Sequence, residues 1–222
     1  MKINIEKKQI SSQFIFSFSC ENKYIDMLLE YNQNLDWEKI YNRKSSLINK
    51  SNFKSGKSFC PKIRGFTELK EFNLFNRWLE KCFSEVVEAL KWDFFQKDNL
   101  KITQSWLNKS ETGETHHLHR HSFSLLSGIL YLSNKSSTQF FIPSIYALPN
   151  IFVNKKDSNL YIKHNYLGEK GELIIFPSSL EHCVGPNLEK EPRISLSINT
   201  WPSGNIGSPK SLAFIPQEIK EK

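Results

Sequence analysis

Residues 171–201, GELIIFPSSLEHCVGPNLEKEPRISLSINTW, decide the fold of this chain. The segment LIIF, residues 173–176, is a buried strand that runs into Pro177, and a short loop after it delivers His182. Polar and apolar residues then alternate from Arg193 onward, which predicts a second strand with one buried face. Strands this short, separated by Gly, Pro, Asn and Ser, are typical of a β-sandwich or barrel.

The same pattern extends back along the chain to residue 101. The predicted strands of this region are 101–108, 115–121, 127–133, 138–142, 160–163, 172–176 and 192–200. Further back, residues 71–92 carry apolar side chains at three- and four-residue steps, which predicts a long helix with one buried stripe. We also expect a strand over residues 12–18, a helix over 24–32 and a long loop over 45–65.

These elements predict one domain, residues 1–222, with three parts. We expect residues 1–98 to form a mostly helical and loop support region, residues 99–202 a mainly β core, and residues 203–222 a C-terminal tail. With 39% hydrophobic residues, the chain is long enough to bury a sizeable core.

The composition argues against several classes of protein. No run of about 18 apolar residues occurs and the start, MKINIEKKQISS, lacks an apolar segment, so we expect a cytoplasmic protein without a membrane segment. Four scattered cysteines without a C-x-x-C pair favour free thiols. The net charge of +7 is uneven, because the stretch from Lys39 to Arg64 has eight basic residues and no Asp or Glu. No nucleic-acid motif accompanies this basic stretch, so we favour a solvated loop over a nucleic-acid contact, while contact with phosphates or with an acidic protein stays open as an alternative.

Histidine is the residue type that points to chemistry. If residues 115–121 form a strand, alternate side chains share a face, so His119 and His121 both point into the barrel. Two imidazoles on one face and a distant third, His182, predict a facial metal site. The pair His117 and His119 has the same spacing, so the residues alone leave the register open.

The last predicted strand places a cation near this site. Arg193, Ser195, Ser197 and Asn199 share one face, and the apolar residues between them share the other. In a barrel whose outer surface is covered by helices, the polar face points inward toward the metal. An inward guanidinium needs an anion, because an unpaired buried charge is costly. A dicarboxylate fits, with one carboxylate on Arg193 and the Ser195 hydroxyl while its keto acid end chelates the metal.

Four segments of the chain resemble the 2-oxoglutarate- and Fe(II)-dependent oxygenases. They are SWLN at 105–108, HRH at 119–121, SGILYL at 127–132 and the stretch 171–199. The likeness covers residues 100–201. Within the superfamily, the chain most resembles an uncharacterised branch found in marine bacteria and their phages, which has a His-x-His, His and Arg-x-Ser pattern. It implies a double-stranded β-helix, or jelly roll, with N-terminal helices packed on it.

The resemblance also implies roles for individual residues. His119 matches the first metal ligand and His182 the distal one, while His121 stands where most of the superfamily has Asp or Glu. Because His121 lies six residues before the Ser127-Gly128 pair, as in the branch, the resemblance favours the His119 and His121 register. The implied Fe(II) ligands are His119, His121 and His182, and the residues implied to bind 2-oxoglutarate are Arg193, Ser195 and Tyr131.

The sequence therefore predicts a 2-oxoglutarate- and Fe(II)-dependent dioxygenase. Such an enzyme would use O₂ to hydroxylate an unactivated carbon of a protein residue or small molecule, with release of succinate and CO₂. One alternative is a cupin-type metalloenzyme that uses the same three histidines without 2-oxoglutarate, although this leaves Arg193 unexplained. The other is a catalytically inactive binding module. The sequence leaves the substrate and the oligomeric state open, a homodimer included.

Overall fold

The computed structural model describes residues 5–10, 13–33, 37–39, 54–56, 70–92, 100–133, 136–143 and 161–204. This part of the chain forms two antiparallel sheets and two α-helices. The strands are β1 (Ile5–Ile10), β2 (Gln13–Ser19), β3 (Trp37–Lys39), β4 (Lys54–Gly56), β5 (Leu100–Ser110), β6 (His116–His119), β7 (Leu126–Tyr131), β8 (Ser136–Pro143), β9 (Tyr161–Gly168), β10 (Glu172–Pro177), β11 (Glu181–Val184) and β12 (Arg193–Pro202). The helices are α1 (Asn22–Gln33) and α2 (Asn73–Ala89), and a 3₁₀ turn, Lys70–Phe72, precedes α2.

The strands β5 to β12 form the core as two sheets. In the larger sheet the order is β10, β7, β12, β5, and in the smaller sheet it is β6, β11, β8, β9. The chain crosses repeatedly from one sheet to the other, and every pairing is antiparallel. This topology is the predicted double-stranded β-helix. The remaining strands extend the larger sheet, β2 and β1 beyond β10, and β4 and β3 beyond β5.

Alternation along the strands of the larger sheet separates two hydrophobic cores. On β10, Leu173 and Ile175 belong to an outer core, whereas Ile174 and Phe176 belong to an inner core shared with the smaller sheet. Phe140 of β8 is one of the inner residues that the smaller sheet contributes. Because successive side chains of a strand point to opposite faces, one apolar run supplies both cores.

Both helices cover the outer face of the larger sheet. The buried side of α2 is the stripe expected from its spacing, and Phe75, Leu79 and Phe83 on it join the outer core. Gly128 of β7 permits this approach, since a Cβ placed there would lie 3.2 Å from Phe83 Cζ. Neither described helix is long and apolar enough to cross a membrane. Because the helices cover only the outer face, the inner face of the barrel is available for a functional site.

Most of the predicted helices and strands are confirmed, but four strands were missed. The two helices, the strand at 12–18 and the seven core strands are confirmed with shifted ends, but β1, β3, β4 and β11 were not predicted. The expectation of a loop over residues 45–65 is wrong at β4, because this strand pairs with β3 and β5. The other residues of 45–65 lie outside the described part of the chain. Most of the basic stretch, Cys60 and the tail beyond residue 204 also lie outside it. The cysteines that are described, Cys20, Cys82 and Cys183, are free thiols as expected.

Candidate metal centre

Three histidines converge at one end of the barrel. His119 ends β6, and His182 on β11 is its paired residue across the smaller sheet. His121 lies beyond β6, directly before the turn at residues 122 and 123, and its backbone N–H donates to Ser178 O at 3.0 Å. Their ligand atoms all lie within 4.8 Å of one another. Cross-strand pairing and a tight turn therefore bring together side chains that are some sixty residues apart in the sequence.

Two expectations about this region are wrong. The predicted strand at 115–121 stops at His119, so His121 reaches the cluster through the turn and not through strand alternation. His182, expected in a short loop, belongs to a strand. In addition, the register shifts between β6 and β11. His116 lies opposite Val184 and His119 opposite His182, so a step of three residues along β6 corresponds to a step of two along β11. Such a bulge re-aims side chains, and it could not be read from the period-two pattern.

Hydrogen bonds fix the same ring nitrogen on all three side chains. His119 Nδ1 donates to His117 O at 2.8 Å, and His182 Nδ1 donates to Leu180 O at 3.0 Å. His121 Nδ1 donates to Asn199 Oδ1. A neutral imidazole with a proton on Nδ1 carries its lone pair on Nε2. Each ring therefore presents the Nε2 lone pair, and the Nε2 atoms of His119 and His121 lie 3.2 Å apart.

Burial keeps these imidazoles neutral. It lowers the pKa of His119 to about 4 and the pKa of His121 below its usual value. His182 is 2% exposed and contacts the ring of Phe176, with ring centroids 5.0 Å apart. Burial, followed by the charge of the neighbouring His119, holds the pKa of His182 well below its ordinary range. Neutral imidazoles are the form that binds a metal ion.

A second histidine group shares His119. The ligand atoms of His116, His117 and His119 also lie within 4.8 Å of one another, and the His116 and His119 rings stack at 4.4 Å. However, the Nδ1 atom of His119 is engaged by His117 O, and its Nε2 atom faces His121. The free Nε2 atom of His119 is thus directed toward the group with His121 and His182. His116 was not singled out by the sequence, because only the bulge turns it toward His119.

The residues expected to bind a dicarboxylate line the same cavity as the three histidines. Arg193, Ser195 and Tyr131 are all among its lining residues. Arg193 donates to Gly185 O at 2.8 Å and to Ser110 Oγ at 3.3 Å, and within the described residues it forms no ion pair. Burial lowers its pKa to about 10. The Tyr131 hydroxyl pairs with Thr138 Oγ1 at 2.8 Å, and burial raises the pKa of this phenol.

The cavity is small. Its described lining consists of histidines, hydroxyl side chains, Asn108, Arg193, Ile129 and Val184, with no Asp or Glu among them. Its volume is about 30 Å³, room for an ion and about two waters. The hydrogen bonds of Arg193 to neutral acceptors leave its charge available to an anion such as a dicarboxylate.

Residues 104–199 match the family described as "Putative 2OG-Fe(II) oxygenase". The matched segment begins in β5 and ends in β12, so it spans the barrel strands and contains all three histidines and Arg193. No curated protein matches the sequence significantly.

Solved structures with the same fold include proteins of this superfamily. A 2OG-Fe(II) oxygenase family oxidoreductase from Burkholderia pseudomallei is 11% identical, with a TM-score of 0.55, covering 86% of this chain and 84% of that one. HygX from Streptomyces hygroscopicus, with nickel and 2-oxoglutarate bound, is 8% identical, with a TM-score of 0.53 and 92% of both chains covered. A Pseudomonas putida prolyl-4-hydroxylase is 11% identical, with a TM-score of 0.51, covering 85% of this chain and 93% of that one. At such identities the likeness establishes the fold alone. The expected iron and 2-oxoglutarate agree with the family match.

Proposed function

We propose that the chain is a 2-oxoglutarate- and Fe(II)-dependent oxygenase whose iron is held by His119, His121 and His182. The observation that carries the proposal is the convergence of three Nε2 lone pairs, each enforced by a hydrogen bond from Nδ1. Partners of this kind orient metal-binding histidines and fix their tautomers. Neutral lone pairs that face each other repel unless a cation lies between them.

The spacing of the nitrogens supports a metal ion of this kind. Two nitrogen ligands about 2.1 Å from a metal and at right angles to each other are about 3 Å apart, and His119 Nε2 and His121 Nε2 are 3.2 Å apart. Imidazole ligands suit iron, zinc, copper and nickel, so the donor set admits iron without selecting it. The family match and Arg193, which suits 2-oxoglutarate, favour Fe(II).

Arg193 supports 2-oxoglutarate as cosubstrate. It lies on the inner face of β12 in the cavity that the histidines line, and no Asp or Glu is among the described lining residues. Burial disfavours the charge of Arg193, and the Glu114 carboxylate offsets this effect only in part. A cosubstrate with two carboxylates would place one on the guanidinium, with the Ser195 and Tyr131 hydroxyls nearby as further donors. Its other end would reach the three histidines.

The reaction we propose is hydroxylation of an unactivated carbon, coupled to conversion of 2-oxoglutarate and O₂ to succinate and CO₂. Bound iron would supply the oxygen chemistry, while the chain positions the cosubstrate and excludes water. The substrate would be a protein residue or a small molecule. HygX is solved with hygromycin B bound, and another neighbour is a prolyl-4-hydroxylase, so this fold accommodates both classes.

Turnover of 2-oxoglutarate to succinate by the iron-loaded chain tests this function. We expect slow succinate formation even without substrate, lost in His182→Ala and strongly reduced in Arg193→Ala. A chain that binds iron but gives no succinate, and for which Arg193→Ala changes nothing, would be a cupin-type metalloenzyme. A chain that binds no divalent metal would be a binding module. The cytoplasmic location and a possible homodimer stay predictions.

A further inference from the structure

A chain of two side-chain amides reaches His121 from the inner face of the larger sheet. Asn199 on β12 is 6% exposed, and its Oδ1 accepts from His121 Nδ1. Its Nδ2 donates to Gln104 Oε1 at 3.3 Å, across the β12 and β5 pairing in which Gln104 lies opposite Asn199. Ser127 also donates from Oγ to Asn199 Oδ1 at 3.2 Å. All of these groups lie outside the set of three proposed ligands.

We propose that Gln104 and Asn199 are positioning residues that select the tautomer of His121 and so keep its Nε2 lone pair available to a metal. The inference rests on the proposed function, because it takes His121 as a ligand. A side-chain amide is an acceptor at one end and a donor at the other. The orientation of the amide therefore decides which ring nitrogen of the neighbouring imidazole carries the proton.

The alternative orientation shows why Gln104 matters. If the Asn199 amide turned over, its NH₂ group would face His121 Nδ1, which would then have to accept. The ring proton would move to Nε2 and remove the lone pair that faces His119. Gln104 Oε1 opposes this rotation because it accepts from Asn199 Nδ2, and the Ser127 hydroxyl supports the same orientation. Ser127 alone cannot select the tautomer, although its Oγ is 2.9 Å from His121 Nδ1, because a hydroxyl can donate or accept.

The side chains of Gln104 and Asn199 are uncharged, and this affects the net charge of the site. A carboxylate at position 199 would add a negative charge directly behind His121, whereas the amide orients the ring without adding one. Within the described residues, the cavity contains no carboxylate, so the three imidazoles and their partners leave the charge of a divalent ion uncompensated. Such a site favours an anionic cosubstrate.

Nuclear magnetic resonance of the metal-free protein tests the proposal directly. Long-range ¹H–¹⁵N spectra of histidine-labelled protein in chelator report which ring nitrogen carries the proton. The variants are Asn199→Asp, which keeps an acceptor, Asn199→Leu, which removes it, and Gln104→Leu, which frees the amide to rotate. Thr103→Val is the matched control, because Thr103 Oγ1 bonds to Asn199 O of the backbone and not to its amide. Co(II) binding by the same proteins gives a second readout.

We expect His121 to carry its proton on Nδ1 in the wild type, in Asn199→Asp and in Thr103→Val, and to lose this single tautomer in Asn199→Leu and Gln104→Leu. Co(II) affinity should fall by about 10- to 100-fold in Asn199→Leu, less in Gln104→Leu, and not in Asn199→Asp. An unchanged tautomer and unchanged Co(II) affinity in Gln104→Leu and Asn199→Leu would overturn the proposal, as would an Nε2 proton in the wild type. If Asn199→Leu does not fold, Gln104→Leu and Asn199→Asp decide. Failure of the wild type to bind Co(II) would instead refute the proposed function and leave the tautomer result standing.

Discussion

His119 and His182 are paired residues of two antiparallel strands, and their ring centroids are 4.3 Å apart. Two of the three proposed ligands are therefore positioned by backbone register, whereas His121 depends on a turn and on its contacts with Asn199 and Ser127. The first pair is held as rigidly as the sheet itself. The third ligand is the one that neighbouring side chains can tune.

The choice between the two His-x-His registers can be decided by substitution. We expect His121→Ala to lose metal affinity and His117→Ala to keep it. His119 donates from Nδ1 to the His117 backbone carbonyl, which alanine retains, and its Nε2 atom faces His121. Calorimetric titration of chelator-treated protein with Fe(II) or Co(II) measures both. The reverse order of affinities would place the metal on His117 and His119.

Arg193 and the metal should separate in a binding experiment. Arg193→Ala should weaken 2-oxoglutarate binding on the order of 10²-fold, because it removes one partner of a charged hydrogen-bonded pair. Metal affinity should not change, since Arg193 contacts Gly185 O and Ser110 Oγ and none of the three histidines. Arg193→Lys keeps the charge but lacks the planar guanidinium, so its affinity for 2-oxoglutarate should lie between those of the wild type and Arg193→Ala. Equal 2-oxoglutarate affinity in all three proteins would remove Arg193 from the cosubstrate site.

The sequence contained most of the fold but less of the site geometry. Periodicity located the helices and the long strands, since α2 buries one consistent stripe and β12 alternates polar and apolar residues, although both faces of β12 are buried. It failed at β11, a four-residue strand that pairs with β6 and β8 and has no alternation long enough to read. It also failed at the bulge near His116 and at the turn that carries His121, because both depend on pairing between distant strands. Asn199 was recognised as an inward residue, but its contact with His121 required the structure.

The stability of the metal-free protein should depend on pH. A histidine whose pKa is lower in the folded than in the unfolded protein takes up a proton on unfolding at pH values between the two. Its contribution is therefore complete above the unfolded value of 6.5 and is lost as the pH falls toward the folded value, about 4 for His119. Urea unfolding with chelator present should show lower stability near pH 5 than near pH 7. His119→Gln should reduce the difference, and a pH-independent wild type would contradict the burial of neutral imidazoles.

Tyr131 and Gly168 should depend on each other. An added Cβ at Gly168 would overlap the ring of Tyr131, whereas at Gly128 it would meet only the ends of Phe83, Ile198 and Leu173 side chains at 3.2 to 3.4 Å. Gly168→Ala should therefore destabilise the protein by about 1–3 kcal/mol, and Gly128→Ala by less. In a Tyr131→Leu background the cost of Gly168→Ala should shrink. Additive effects in chemical denaturation of the four proteins of this cycle would show that the two residues do not share this contact.

A crystal structure of the protein loaded anaerobically with Fe(II) and 2-oxoglutarate tests the central claim most directly. We predict one iron per chain on the Nε2 atoms of His119, His121 and His182, with one carboxylate of 2-oxoglutarate on the Arg193 guanidinium. Iron bound by His116 or His117 in place of His121, or 2-oxoglutarate bound away from Arg193, would contradict it.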